Sequence, residues 1–118
     1  MARKLLEVKD VGDVAVVSFT DTKILDEFII RALGEQLFGL VTQLGRKKIL
    51  LNFSNVEFLS CLAIGQFLAL NRLVKDIGGQ LIMCGLDPQI YEVFDITKLN
   101  KRFDIQKNEQ SALSAFFI

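Results

Sequence analysis

Histidine and tryptophan are both missing from the 118 residues. The first absence removes the commonest general base at neutral pH and the commonest transition-metal ligand. Cysteine occurs only twice, as Cys61 and Cys84, with no metal-type spacing and no disulfide framework. Pro88 is the single proline, and no linker, repeat or low-complexity tract interrupts the chain. No apolar run approaches the length of a membrane span. Met1-Ala2-Arg3-Lys4 leads into an alternating strand without the apolar core of a signal peptide. Neither sign of charge is in excess, with 14 basic and 14 acidic residues, so nothing draws the chain to nucleic acid or an anionic membrane. The longest basic cluster, Arg46-Lys47-Lys48, suits a helix end better than a phosphate track. Gly34 and Gly78-Gly79 match no phosphate-cradling motif. These absences predict a cytoplasmic protein in reducing surroundings, without cofactor or metal and with no nucleic-acid or membrane partner.

What is present is a core. Apolar residues make up 51% of the chain, enough for one folded domain spanning 1–118. Two periodicities alternate along it. Leu5 to Val8 and Val14 to Phe19 read as strands joined by a hairpin at Asp10-Val11-Gly12-Asp13, with Gly12 free to take positive φ. A loop from Thr20 to Leu25 follows. Asp26 then N-caps a helix over 26–44 whose seam is Ile30, Leu33, Leu37, Leu40, Val41 and Leu44, ended by Gly45. The run Lys48 to Phe53 is nearly all apolar, as a strand covered on both faces must be. A second helix runs over 62–77 on Ala63, Phe67, Leu70, Val74 and Ile77. Gln80 to Cys84 is the next strand, and Asp87-Pro88 opens a third helix to Phe94. Phe103 to Ile105 is a short edge strand, and Asn108 caps a last helix ending near Phe116. Among the ten phenylalanines, Phe28, Phe38, Phe116 and Phe117 stand off the predicted core faces. Phe116-Phe117-Ile118 is expected to fold back on the core rather than form a homodimer patch.

An α/β domain with largely parallel pairing follows from this order. In such domains sites gather where strands exit and helices begin. That rule singles out Phe53 to Gly65, the exit of the buried strand, with a polar turn at Ser54-Asn55, an apolar return through Val56, Phe58 and Leu59, and a helix start. Ser60 is placed to N-cap that helix, and Cys61 to be its first residue, at the positive end of the dipole.

The same segment carries a resemblance. Val56-x-Phe58-Leu59, then Ser60, Cys61, Leu62, Ala63 and Ile64-Gly65, is similar to the stretch of STAS-type anti-sigma-factor antagonists that reads Val-x-Phe-apolar-Asp-Ser-Ser-Gly-Leu-Gly. Gly78-Gly79-Gln80-Leu81, Cys84-Gly85-Leu86-Asp87-Pro88, Val93 to Leu99 and Leu25-Asp26 also resemble that family, so the likeness runs from about Val14 to Phe116. It implies the STAS fold: an N-terminal hairpin, then a β-α superhelix of four to five mixed or parallel strands with about four helices. It also implies a regulatory module rather than an enzyme. In the family the partner is an anti-sigma factor that is also a serine kinase of histidine-kinase-like ATPase fold. The implied docking surface comprises Asp26, Leu59, Ser60, Cys61, Leu62, Ile64, Gly65, Gln66, Ala69 and Arg72, on a monomer or weak homodimer. Phosphate added to a serine at the helix start would bring about −1.5 to −2 charge into an interface built around a hydroxyl.

Cys61 stands where the family has that serine. Three readings stay open: constitutive binding without a phosphate switch, phosphorylation one residue earlier at Ser60, or a redox role for Cys61. The plainer readings are a small packing residue for Cys61 and a helix cap for Ser60. Cys84 reads as a buried small hydrophobe, and a Cys61–Cys84 disulfide is disfavoured in a reducing compartment. Asp21 reads as a loop residue able to face Ser60 and Cys61. An enzyme using Cys61 as nucleophile would lack a base. The alternative within the fold is an accessory subunit of a stress-sensing or lipid-transport complex without a kinase.

Overall fold

A computed structural model describes residues 4–117. Ile118, grouped above with the C-terminal phenylalanines, lies outside the described residues. The elements in order are β1 (Leu6–Val11), β2 (Val14–Phe19), β3 (Lys23–Ile24), α1 (Glu27–Thr42), β4 (Lys48–Asn52), β5 (Phe58–Leu59), α2 (Cys61–Asp76), β6 (Gln80–Cys84), α3 (Pro88–Ile96), a 3-10 turn (Leu99–Lys101), β7 (Asp104–Gln106) and α4 (Glu109–Phe116).

β1 and β2 pair antiparallel across the two residues Gly12 and Asp13, with Val11 opposite Val14. Gly12 has φ of +62°, the conformation that the first central position of a tight hairpin turn demands. The remaining ladders are parallel, giving a five-stranded sheet in the order β1-β2-β4-β6-β7. β4 is its centre, as its unbroken apolar run requires.

Alternation along β4 divides the core. Ile49 and Leu51 join Val17 and Met83 under α1, α2 and α3, whose contributions include Leu37, Phe67 and Phe94. Leu50 points the other way, with Val14, Val16, Ile82 and Cys84, and is covered by Ala112 and Phe116 of α4. The C-terminal helix therefore folds back onto the sheet. Phe117 ends over Gly12, its ring carbon 3.5 Å from where a Cβ would stand there.

Several local expectations are corrected. Thr20 to Leu25 is not wholly loop, because Lys23 and Ile24 pair in parallel with Phe58 and Leu59 as a separate two-stranded sheet. α1 stops at Thr42, and Leu44 is 67% exposed rather than part of the seam. The turn beyond it runs outward, with the Gly45 N–H returning to the Val41 carbonyl and the Arg46 N–H to the Leu40 carbonyl. Ile77 is the C-cap of α2 rather than a member of its seam, and it is exposed. Phe38 packs against the larger core although it stood off the predicted face.

Candidate functional site

The chain leaves β4 under tight control. The Phe53 N–H donates to the Cys84 carbonyl at 2.9 Å, and the Val56 N–H returns to the Phe53 carbonyl at 2.9 Å. Phe53 itself is fully buried, stacked on Phe19 at 4.8 Å between centroids and edge-on to Phe67 at 5.3 Å. The turn between is polar and tied down. Asn52 Oδ1 accepts from the Ser54 N–H at 2.9 Å, and Asn55 Nδ2 donates to the Phe19 carbonyl at 3.0 Å. A bulky aromatic anchor and two asparagine contacts thus fix where the next segment starts.

That segment is then clamped to the approach to α1. The Glu57 and Phe58 N–H groups donate to the Thr22 carbonyl at 2.7 and 3.2 Å, and the Ser60 N–H donates to the Ile24 carbonyl at 3.1 Å. With Ile24 opposite Leu59, the two-stranded sheet delivers two helix starts side by side. Asp26 caps α1, its Oδ1 accepting from the Phe28 and Ile29 N–H groups at 2.9 and 3.1 Å. Ser60 caps α2, its hydroxyl oxygen accepting from the Ala63 N–H at 3.3 Å. Each cap satisfies amide donors that no helical carbonyl can reach.

Cys61 is the first residue of α2, exposed and free; Cys84 is buried and free. Burial, reinforced by the charge of Glu109, pushes the Cys84 thiol up to about 11. A buried neutral thiol of that kind packs as a small apolar group and does no nucleophilic work at neutral pH. Among the described residues no group of three or more Cys, Asp and Glu side chains stands together as a metal site.

The residues singled out from the sequence fall into three environments. Asp26, Cys61, Leu62, Gly65, Ala69 and Arg72 are exposed along the start and outer side of α2 and at the cap of α1. Leu59 and Ser60 are half-buried in and after β5. Ile64 and Gln66 face inward. Ile64 is 8% exposed and belongs to the larger core. The Gln66 carboxamide lies over Gly34 of α1, filling the space a Cβ would take there.

The sequence reading passed over an apolar rim beside this helix start. Phe58 is 47% exposed and Leu62 45%. A cleft of about 170 Å³ runs between β5 and α3, lined by Phe58, Leu59, Ile64, Ile90 and Val93 with Glu57 and Gln89 at its edge. The signal available was in α3, where only Ile90 and Phe94 form an i, i+4 seam, leaving Val93 and Ile96 to solvent.

Comparison with known proteins gives this geometry a lineage. An anti-sigma F factor antagonist of Paenibacillus polymyxa is 29% identical over 66 residues, 56% of this chain and 56% of the relative. Matches of this kind span between 56% and 62% of the length of the curated relatives. Among solved structures, an anti-sigma-factor antagonist (STAS) domain protein from Planctomyces limnophilus superposes with a TM-score of 0.83 at 20% identity, covering 97% of this chain and 98% of the other. The Bacillus cell-fate determinant SpoIIAA in its phosphorylated form gives 0.71 at 18% identity, covering 94% and 98%. At those identities the structures establish the fold. The STAS domain model matches residues 6–112, nearly the whole length, and the chain belongs to the STAS domain family.

Proposed function

We propose that this chain is an anti-sigma-factor antagonist, a binding module that captures an anti-sigma factor through the amino end of α2 and the apolar rim beside it. The observation that carries the reading is the position of Ser60 and Cys61. They stand at the exposed start of a helix whose entry is clamped by β3 and β5, so a partner meets a preformed surface. The partner is a serine kinase of histidine-kinase-like ATPase fold that the chain withdraws from its sigma factor. Nothing in the arrangement supports chemistry on a substrate, since the exposed thiol has no histidine to take its proton.

Control differs from the family pattern. A thiol at position 61 does not accept the seryl phosphate, and the Ser60 hydroxyl is engaged as a cap. Capture in this reading is constitutive and set by the amounts of the two proteins.

The test is affinity capture of the native anti-sigma factor with the tagged chain, followed by binding of the purified pair. Wild type should form a stoichiometric complex whose captured chain carries no added phosphate by intact mass. Cys61→Asp, which brings a charge into the contact, should weaken the complex at least tenfold, about 1.4 kcal/mol. Cys61→Ser should bind as wild type and gain one phosphate when the kinase is given ATP. A folded Cys61→Asp variant that binds like wild type overturns the reading.

A further inference from the structure

The opposite end of α2 presents a different chemistry. Arg72 and Lys75 in its last turns face Lys101 and Arg102 from the 3-10 turn and its exit, and the four line one open cleft of about 500 Å³. All four are exposed. None of them is in a salt bridge among the described residues, whereas Arg31, Arg46 and Lys48 each have a carboxylate partner. Asp76 also lines the cleft, and Asp104 lines a neighbouring one that shares Lys75, Lys101 and Arg102. Four cations against these two carboxylates leave the cleft positive in a chain whose formal charge is zero.

The two walls are locked together. Asn71, the one buried polar residue among those described, donates from Nδ2 to the Arg102 carbonyl at 3.0 Å. Lys98, the only non-glycine residue with positive φ among those described, sets the direction of the 3-10 turn. The cations are therefore carried on backbones held in fixed relation. The negative end of the α2 dipole accounts for Arg72 and Lys75 on their own helix. It does not account for two more cations brought to the same cleft by another element.

The lining narrows the ligand. Leu68 is its one apolar residue, which is poor footing for a small molecule with an apolar body. No aromatic ring lines it, so it offers no platform for stacking nucleobases. The volume exceeds a single anion, and two guanidinium groups suit paired contacts to carboxylates. We infer that this cleft is a second docking surface, which takes an Asp/Glu-rich segment of a partner protein. Its cations begin about 16 Å along α2 from Cys61, and only Arg72 is shared with the docking surface that the resemblance implies, so it is tested separately from the function proposed above.

The experiment is an NMR titration of the full isotope-labelled chain with an N-acetylated hexaglutamate peptide at low salt. Shifts are expected at Arg72, Lys75, Lys101 and Arg102, fading as salt screens the charges. Lys101→Glu combined with Arg102→Glu should lower the affinity at least tenfold with an unchanged melting midpoint. Lys101→Gln with Arg72→Gln serves as a milder pair and should give a smaller loss. Shifts that are absent, that map elsewhere, or that survive both pairs overturn the proposal. So does a hexanucleotide of thymidine or inorganic triphosphate that binds these residues more tightly than the peptide.

Discussion

Two glycines separate what a single residue contributes by geometry from what it contributes by conformation. Neither Gly34 nor Gly79 has positive φ. At Gly79 an added Cβ would stand 2.3 Å from the Lys47 carbonyl oxygen and 2.9 Å from a Val74 methyl, both fixed by the sheet and the helix seam. Gly79→Ala should cost about 1–3 kcal/mol in denaturant unfolding, because backbone must move. At Gly34 the obstacle is the Gln66 carboxamide, the far end of a flexible side chain. There the helical gain of alanine over glycine, about 1 kcal/mol, offsets the rearrangement, and Gly34→Ala should change stability by under about 1 kcal/mol. Equal losses at the two sites would show that the α1–α2 seam is as rigid as the β6 entry. The cysteines differ by environment in the same way. With Cys84 raised from 9.0 to about 11, the folded state holds that proton more tightly than the unfolded chain. Its contribution is whole below pH 9.0 and is lost as pH climbs toward 11, with a slope of up to about 1.4 kcal/mol per pH unit. Cys84→Ala should flatten that part of the stability curve relative to wild type. A thiol reagent should titrate one cysteine, Cys61, in the native protein and both after denaturation.

At the scale of elements, caps and seams were open to sequence reasoning and short pairings were not. Asp26, Ser60, Asp87 and Asn108 each accept from backbone amides of the helix they precede. Serine, asparagine and aspartate before an apolar periodic run have a local cause, which is why four helix starts were visible. β3 and β5 are two residues each, too short to show a period, and their pairing links segments more than thirty positions apart. Phe58 follows Val56 at strand spacing, yet Val56 is buried and Phe58 exposed: Val56 closes the turn by its bond to the Phe53 carbonyl, and the strand begins only at Phe58. Leu44 continued the helical spacing past the point where the backbone turned away. The helix start at Ser60 and Cys61 was therefore legible, while the clamp that holds it and the apolar rim beside it were tertiary products. The caps also allow folding and docking to be separated. Ser60→Ala should lose about 1 kcal/mol of stability through the orphaned amide. Ser60→Asp keeps an acceptor at the cap and adds charge at the favourable end of the dipole, so it should melt at or above the wild-type temperature. In the proposed function it should nonetheless bind the anti-sigma factor less well than Ser60→Ala. The reverse order in binding would move the contact away from the helix start.

Over the whole molecule, the two faces of the sheet are covered unequally, and that asymmetry sets what can be removed. α1, α2 and α3 bury the larger core, whereas among the described helices α4 alone covers Val14, Val16, Leu50 and Ile82 on the reverse face. α4 has eight residues, too few to be stable without the sheet beneath it. It is held by Ala112 and Phe116 in the smaller core, by Glu109 accepting from Asn52 Nδ2 at 3.2 Å, and by a salt bridge from Lys9 to Glu109 at 3.6 Å. Of these, burial of Phe116 is worth the most, since loss of a buried phenylalanine side chain typically costs about 3–5 kcal/mol and an exposed ion pair under about 1. Phe116→Ala should therefore lower stability by about 3 kcal/mol, and Lys9→Ala by under about 1. Deleting residues 108–118 should do more than either, because it bares the centre of a sheet whose strands are apolar on both sides. Such a chain should bind a hydrophobic dye and lose its cooperative melt while keeping much of its far-UV signal. The α2 surfaces lie on the other face, so Phe116→Ala at a temperature where it is folded should bind the anti-sigma factor with wild-type affinity. A large loss of binding in that variant would mean that α4 belongs to the docking surface, and that the partner reaches round the edge of the sheet.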